Sequence, residues 1–176
     1  SGPAFAAGGG AGNAGNFFGL YYSQLAKIGL DRVIQTDPGA LSTYQIYAVR
    51  DVNATARIDV TNQRICYGRD DDQCEPVNSL IAQNSPAQKT IRVNPAKFFP
   101  LEVSLRPVFA LHEYLGLVDA ESYCTPISSH AELDDAGVQS FIDAPIAYQI
   151  TLSVDQVFAA LGLKAAPGYR PYIEDP

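Results

Sequence analysis

The chain has 176 residues, of which 47% are hydrophobic and 18% are charged, and this composition predicts one folded domain rather than a disordered segment. The formal net charge of −7 argues against a phosphate-binding surface, so we expect no nucleic-acid partner. No apolar run approaches the about 20 residues that a membrane-spanning helix needs, and we expect no membrane span. Methionine is absent even from position 1, so we expect a removed signal peptide and a secreted or periplasmic protein. We further expect a monomer.

The first third of the chain predicts a flexible start, one helix and then strands. Residues 1–16 are rich in Gly and Ala and indicate a flexible lead-in, whereas residues 17–176 are predicted to form a single globular domain. A helix is predicted from Asn16, as its N-cap, to Gly29, because glycine often ends helices. Residues 43–67 are rich in β-branched and aromatic side chains, which favours strands.

Two of the three cysteines lie close together. Cys66 and Cys74 flank the run CYGRDDDQC, and we predict a disulfide between them across a hairpin, which a secreted protein allows. The alternative is three free thiols that behave as small buried hydrophobic groups. The consecutive aspartates of this run lack the alternating spacing of a calcium loop, so a solvated hairpin tip is predicted. Cys124 is left without an assigned partner.

The second half of the chain mixes predicted strands and helices. Two segments are predicted strands because of their composition, KTIRVN (89–94) and IAYQITL (146–152). Helix signals predict three helices, one from Ser104 to about Val118, one from a capping box at 129–132 to about Phe141, and one after a second capping box at 153–156. Because strands and helices do not alternate regularly, we predict a single-domain α+β fold with a mixed or antiparallel sheet.

The segment VFALHEYLGL (108–117) carries the residues with the clearest chemical potential. At 100° per residue, one apolar stripe of this helix should face the core, and His112 and Gly116 share the next stripe. In the zinc-protease motif HExxH, two histidines one turn apart bind the metal, and the Glu between them is the general base. Here the second histidine position is Gly116, which has no ligand atom.

This segment resembles the active-site helix of the zincin metallopeptidases, which follows an edge strand. The positions that match are Leu111, His112, Glu113, Gly116 and Leu117. The resemblance implies a zincin-like central helix, with His112 as a metal ligand and Glu113 as the general base. Glu121 could add a carboxylate ligand if the helix breaks near Gly116, and His130 could supply another ligand from a separate element. The candidate catalytic residues are therefore Glu113, His112 and Glu121.

The chain is also similar to uncharacterised secreted proteins of predatory bacteria. Those proteins carry a HEYLGL helix that is followed by a Glu, a Tyr and a Ser, and the matching residues here are Glu121, Tyr123 and Ser128. This second resemblance covers about residues 89–129, and it does not indicate what the activity is, because none is established for those proteins.

Three functions remain open from the sequence. The first is a zincin-like protein with an incomplete, metal-free site, for which no cofactor is expected although zinc could bind. The second is a metal-free glycoside hydrolase acting on cell-wall peptidoglycan, in which Glu113 on its apolar helix is the general acid. Its second carboxylate would come from Glu102, Glu121, Glu132, Asp134 or Asp135. The third is a non-enzymatic binding module. A peptide or a cell-wall glycan is the substrate expected if the protein is a hydrolase.

Overall fold

The structure is a computed structural model that describes residues 13–68, 73–121 and 126–143. Within these ranges the elements are α1 (Asn13–Thr36), α2 (Thr43–Thr55), β1 (Arg57–Val60), β2 (Ala82–Ser85), β3 (Thr90–Val93), α3 (Pro95–Phe98), α4 (Arg106–Leu117) and α5 (Asp135–Asp143), joined in part by short 3₁₀ turns. The predicted α+β class with a mixed sheet is confirmed, since β3 pairs in parallel with β1 and antiparallel with β2. No helix in these ranges is long and apolar enough to cross a membrane.

The sheet has the order β1-β3-β2, so β3 is its central strand. Ile91 and Val93 of β3 are fully buried, and they stand opposite Ile58 and Val60 of β1. On the other side of β3, Asn84 of β2 is the residue opposite Ile91. Residues directly opposite each other in a sheet share a face, so β2 directs the amide of Asn84 to the same face as the apolar side chain of Ile91.

Helices α1 and α4 pack directly against each other, and Gly29 lies at their contact. A Cβ atom at this position would come within 3.0 Å of the carbonyl oxygen of Pro107 and within 3.1 Å of the Cβ of Ala131. The predicted bounds of the first helix are wrong at both ends, because α1 begins at Asn13, within the predicted lead-in and before the predicted N-cap Asn16, and continues past Gly29 to Thr36. The glycine instead allows the close approach of two backbones.

The strand prediction for residues 43–67 is wrong over its first half, which forms α2. A capping box starts this helix, since the N–H of Gln45 donates to Ser42 Oγ at 3.1 Å and the N–H of Ser42 donates to Gln45 Oε1 at 2.9 Å. Val49 and Val52, one turn apart, are its buried residues. Capping and helical spacing of the apolar residues therefore outweigh the β-branched composition. The second half of the segment does contain β1.

The predicted strand at 89–94 is confirmed by β3, and the predicted helix at 104–118 is confirmed by α4. The assignment of Ser104 as the helix cap is wrong, because Ser104 lies in a preceding 3₁₀ turn and the N-cap residue is Leu105. Pro107 does lie in the first turn of the helix, as predicted. The helix bounds could be predicted because a long apolar stripe defines them.

The predicted capping box at 129–132 does not start a helix. Residues Ile127–Ala131 form a 3₁₀ turn, and α5 starts only at Asp135. The carboxylate of Asp134 accepts the N–H of Gly137 at 2.7 Å and so caps α5 instead. The predicted strand at 146–152, the helix that follows it and most of the lead-in lie outside the described residues.

The predicted disulfide is present, with 2.00 Å between the sulfur atoms of Cys66 and Cys74. Arg64 supports the loop it closes by donating from Nη1 to the carbonyl oxygen of Cys74 at 2.7 Å. A disulfide of this kind is compatible with an extracellular or periplasmic protein. Cys124 lies outside the described residues.

Candidate functional site

Helix α4 places two ionisable side chains in the interior. His112 and Glu113 are only 6% and 4% exposed, and they lie on a helix whose other buried residues are almost all apolar. Burying an ionisable group is costly unless it is hydrogen-bonded or paired. The partners of these two side chains therefore define what the site can do.

The C-terminus of α4 determines where Glu121 lies. The helix ends at Leu117, and Asp119 adopts a left-handed conformation with φ of 52°. The N–H groups of Asp119 and Ala120 donate to the carbonyls of Gly116 and Leu115 at 3.2 and 2.9 Å, which is the Schellman arrangement of a helix end. The helix break near Gly116 that would let Glu121 approach His112 is therefore present.

The reversal at Asp119 brings Glu121 back onto His112. Glu121 Oε2 contacts His112 Nδ1, which requires the imidazole to carry a proton on that nitrogen for donation to the carboxylate. Ser128 donates twice to the same carboxylate, from its backbone N–H to Oε1 at 2.5 Å and from its hydroxyl to Oε2 at 2.9 Å. The side chain of Glu121 and the whole of Ser128 are almost completely buried. We call His112, Glu121 and Ser128 the His-Glu-Ser network.

This network brings together residues that both resemblances single out, although Tyr123 lies outside the described residues. The serine is not placed as a nucleophile, because its hydroxyl donates to the carboxylate. In a Ser-His-acid triad, the serine hydroxyl is instead hydrogen-bonded to the histidine. The network therefore connects helix α4 to the 3₁₀ turn that contains Ser128.

Glu113 has a different partner, Asn84 of strand β2. Asn84 Nδ2 donates to Glu113 Oε1 at 3.0 Å. The same carboxamide lies over Gly116, where a Cβ atom would come within 2.9 Å of Asn84 Cγ. No local sequence pattern indicates Asn84 as the partner, because it is 29 residues from Glu113. The available signal was Gly116 itself, since a glycine inside a helix often marks close approach of another group.

Two buried tyrosines lie close to Glu113. Burial, together with the negative charge of Glu113, raises the pKa of Tyr22 well above its ordinary value. Burial likewise raises the pKa of Tyr114. Because both pKa values are raised, both hydroxyls are neutral at physiological pH. The centroids of the two rings are 6.1 Å apart. The charge of Glu113 on α4 therefore acts on the phenol of Tyr22 on α1.

The described residues do not fit a zinc ion. A catalytic zinc site uses three protein ligands, but Gly116 offers no ligand atom and both oxygens of Glu121 are hydrogen-bonded. His130, the other candidate ligand, is half-exposed and lies 3.9 Å from Asp37. Within the described part of the chain, no three His, Cys, Asp or Glu side chains come together as a metal site. Of the predicted ligands, His112 and Glu121 meet each other and His130 does not join them.

Two of the five possible second carboxylates of a glycoside hydrolase, Asp134 and Glu121, already have partners in the described structure. Asp134 is committed to Arg32, whose Nη2 lies 3.0 Å from its Oδ2, and to the N-terminus of α5. Glu121 is committed to the His-Glu-Ser network. With Glu113 only 4% exposed, its carboxylate presents little surface to a glycosidic oxygen.

No protein-family model, curated protein or solved structure matches this chain.

Proposed function

We propose that this is a metal-free, zincin-like protein in which the His-Glu helix is a structural element and that it acts by binding rather than by catalysis. The observation that carries the proposal is that both polar side chains of the motif have internal partners. His112 bonds to Glu121, and Glu113 bonds to Asn84. A peptide or a cell-wall glycan is the partner we propose.

The position of Glu113 supports a structural role. A general base must reach the proton that it removes, within hydrogen-bond distance or through one water. Here one oxygen of Glu113 accepts the amide of Asn84, and the side chain is nearly enclosed. A carboxylate in this setting stabilises the contact between α4 and the edge of the sheet.

The position of His112 supports the same role. In metal sites, a carboxylate often accepts the second ring nitrogen of a histidine ligand and so orients it. The contact between His112 and Glu121 has this form, so only Nε2 could bind a metal. One imidazole nitrogen is too small a ligand set for a catalytic zinc ion. The contact is therefore better explained as one that holds the segment after α4 against the helix.

The disulfide supports a setting outside the cytoplasm, and the net charge limits the class of partner. The Cys66–Cys74 bond forms and persists in oxidising compartments. The net charge of −7 disfavours nucleic acid as the partner.

Glu113→Gln tests the proposal, because glutamine keeps an oxygen that accepts from Asn84 but cannot act as an acid or base. We expect peptide cleavage and peptidoglycan clearance to stay at background in the wild type and in the variant. The exposed Asp51→Asn variant is the matched control. If the wild type has either activity and Glu113→Gln lowers it by about 100-fold, the proposal is wrong. Loss of peptide cleavage would indicate a peptidase, and loss of clearance would indicate a glycosidase.

A further inference from the structure

We propose that Asn84 is the residue that excludes a metal from helix α4, because it fills the space of a second ligand at position 116 and holds Glu113 at the same time. This inference rests on the proposed metal-free function and identifies the side chain that determines it. Asn84 is thus a specificity-determining residue on β2, outside the motif.

His112 and position 116 share a face of α4. Residues four apart on a helix are neighbours on its surface, so position 116 lies one turn beyond His112. A histidine pair with this spacing is the metal-binding half of HExxH. In this protein the space beside Gly116 is filled by the Asn84 carboxamide, with its Cγ 2.9 Å and its Oδ1 3.1 Å from where a Cβ atom would lie.

Asn84 cannot move away from position 116 without losing its hydrogen bond to Glu113. Its backbone is held in the ladder between β2 and β3, opposite the fully buried Ile91. Its side chain could rotate away from position 116 only by breaking the 3.0 Å hydrogen bond to Glu113. A buried carboxylate would then lose a donor, which is unfavourable. Any side chain at position 116 therefore competes with the bond between Asn84 and Glu113.

Asn84 also determines what the carboxylate of Glu113 faces. In HExxH the glutamate faces a metal-bound water, whereas here an amide N–H donates to it. One asparagine thus replaces both the ligand and the group that the glutamate would face. A histidine at position 116 is consequently not enough to make a metal site, and removal of the Asn84 side chain is needed as well.

A Co²⁺ titration followed by visible absorption tests this directly in the full chain. The variants are Gly116→His, Asn84→Ala combined with Gly116→His, and this double variant with His112→Ala added. We expect the double variant to bind Co²⁺ about tenfold or more tightly than Gly116→His alone, with an absorption band typical of nitrogen ligands. Adding His112→Ala should abolish the band. Equal affinity of Gly116→His and the double variant would overturn the inference, as would a folded double variant without the band.

A second measurement does not depend on metal. Asn84→Ala, Gly116→Ala and their combination are compared by thermal unfolding. We expect Gly116→Ala to lower the melting temperature in the wild-type background and to lower it less, or raise it, when Asn84 is alanine. The same loss in both backgrounds would show that Asn84 does not fill the position, and would overturn the inference.

The two proposals fail in different ways. If the wild type itself binds one equivalent of Co²⁺ through His112, the metal-free function is wrong. If the wild type binds none but Gly116→His binds as tightly as the double variant, only the role of Asn84 is wrong.

Discussion

Replacing Glu121 with alanine removes one acceptor from three buried donors. These are the Nδ1–H of His112 and the backbone and hydroxyl groups of Ser128. An unsatisfied buried polar group costs about 1–3 kcal/mol, and breaking a buried pair by removing one partner costs about 3–5 kcal/mol. Because water can enter part of the space, we expect Glu121→Ala to lower the free energy of unfolding by about 3–5 kcal/mol.

Urea unfolding at neutral pH, followed by circular dichroism, measures this loss. For a chain of this size, the corresponding fall in melting temperature is about 6–20 °C. Glu75→Ala is the matched control, since Glu75 is exposed and makes no side-chain cap, and it should change stability by less than about 0.5 kcal/mol. If Glu121→Ala behaves like the control, the His-Glu-Ser network does not stabilise the fold and the reasoning is refuted.

A double-mutant cycle separates the contact between His112 and Glu121 from the rest of the network. The loss caused by His112→Ala should be smaller when Glu121 is already alanine, with a coupling energy of about 0.5–3 kcal/mol. Strictly additive losses would mean that the two side chains do not interact.

Three further predictions concern other parts of the molecule. Reducing the Cys66–Cys74 disulfide, which closes a loop with a sequence separation of 8, should lower the free energy of unfolding by about 2.5 kcal/mol in the chain-entropy account; urea unfolding with and without reductant measures this, and an unchanged midpoint would contradict it. Gly29→Ala should destabilise the protein by about 1–3 kcal/mol through overpacking. Helix propensity alone predicts the opposite, a gain in stability of about 1 kcal/mol. The sign of the change in melting temperature on thermal unfolding decides between the two. The N–H at the start of α5, and then Arg32, lower the pKa of Asp134. Its stabilisation is therefore present above the unfolded-state pKa and is lost as the pH falls through the folded-state pKa, so that Asp134→Asn should destabilise the protein near neutral pH and not in strong acid. A loss that does not change with pH would contradict this account.

The parts of the fold that could be predicted are those that local pattern determines. Helix α4 has a continuous apolar stripe, and the strand at 89–94 is short and β-branched. Helix α2 could not be recognised by composition, because YQIYAVR suits a strand equally well. The deciding feature was the reciprocal pair Ser42 and Gln45. The apparent capping box at Ser129 is misleading, because that hydroxyl donates to the carbonyl oxygen of Pro126.

The candidate site also has residues that the sequence predicts and partners that it does not. His112 and Glu113 could be identified because they interrupt an apolar helix. Their partners depend on chain reversals and strand pairing that no local pattern reports. Glu121 returns because a non-glycine residue, Asp119, takes a left-handed conformation, which is uncommon. Asn84 is positioned by the pairing of β2 with β3, and β2 is a strand with little apolar character.

The metal content of the wild-type protein tests the central claim most directly. The protein is purified without chelator and analysed by inductively coupled plasma mass spectrometry, and it is then titrated with Zn²⁺ by calorimetry. We predict less than about a tenth of an equivalent of zinc and no saturable uptake. About one equivalent of zinc that is lost in His112→Ala would contradict the account and would identify helix α4 as part of a metal site.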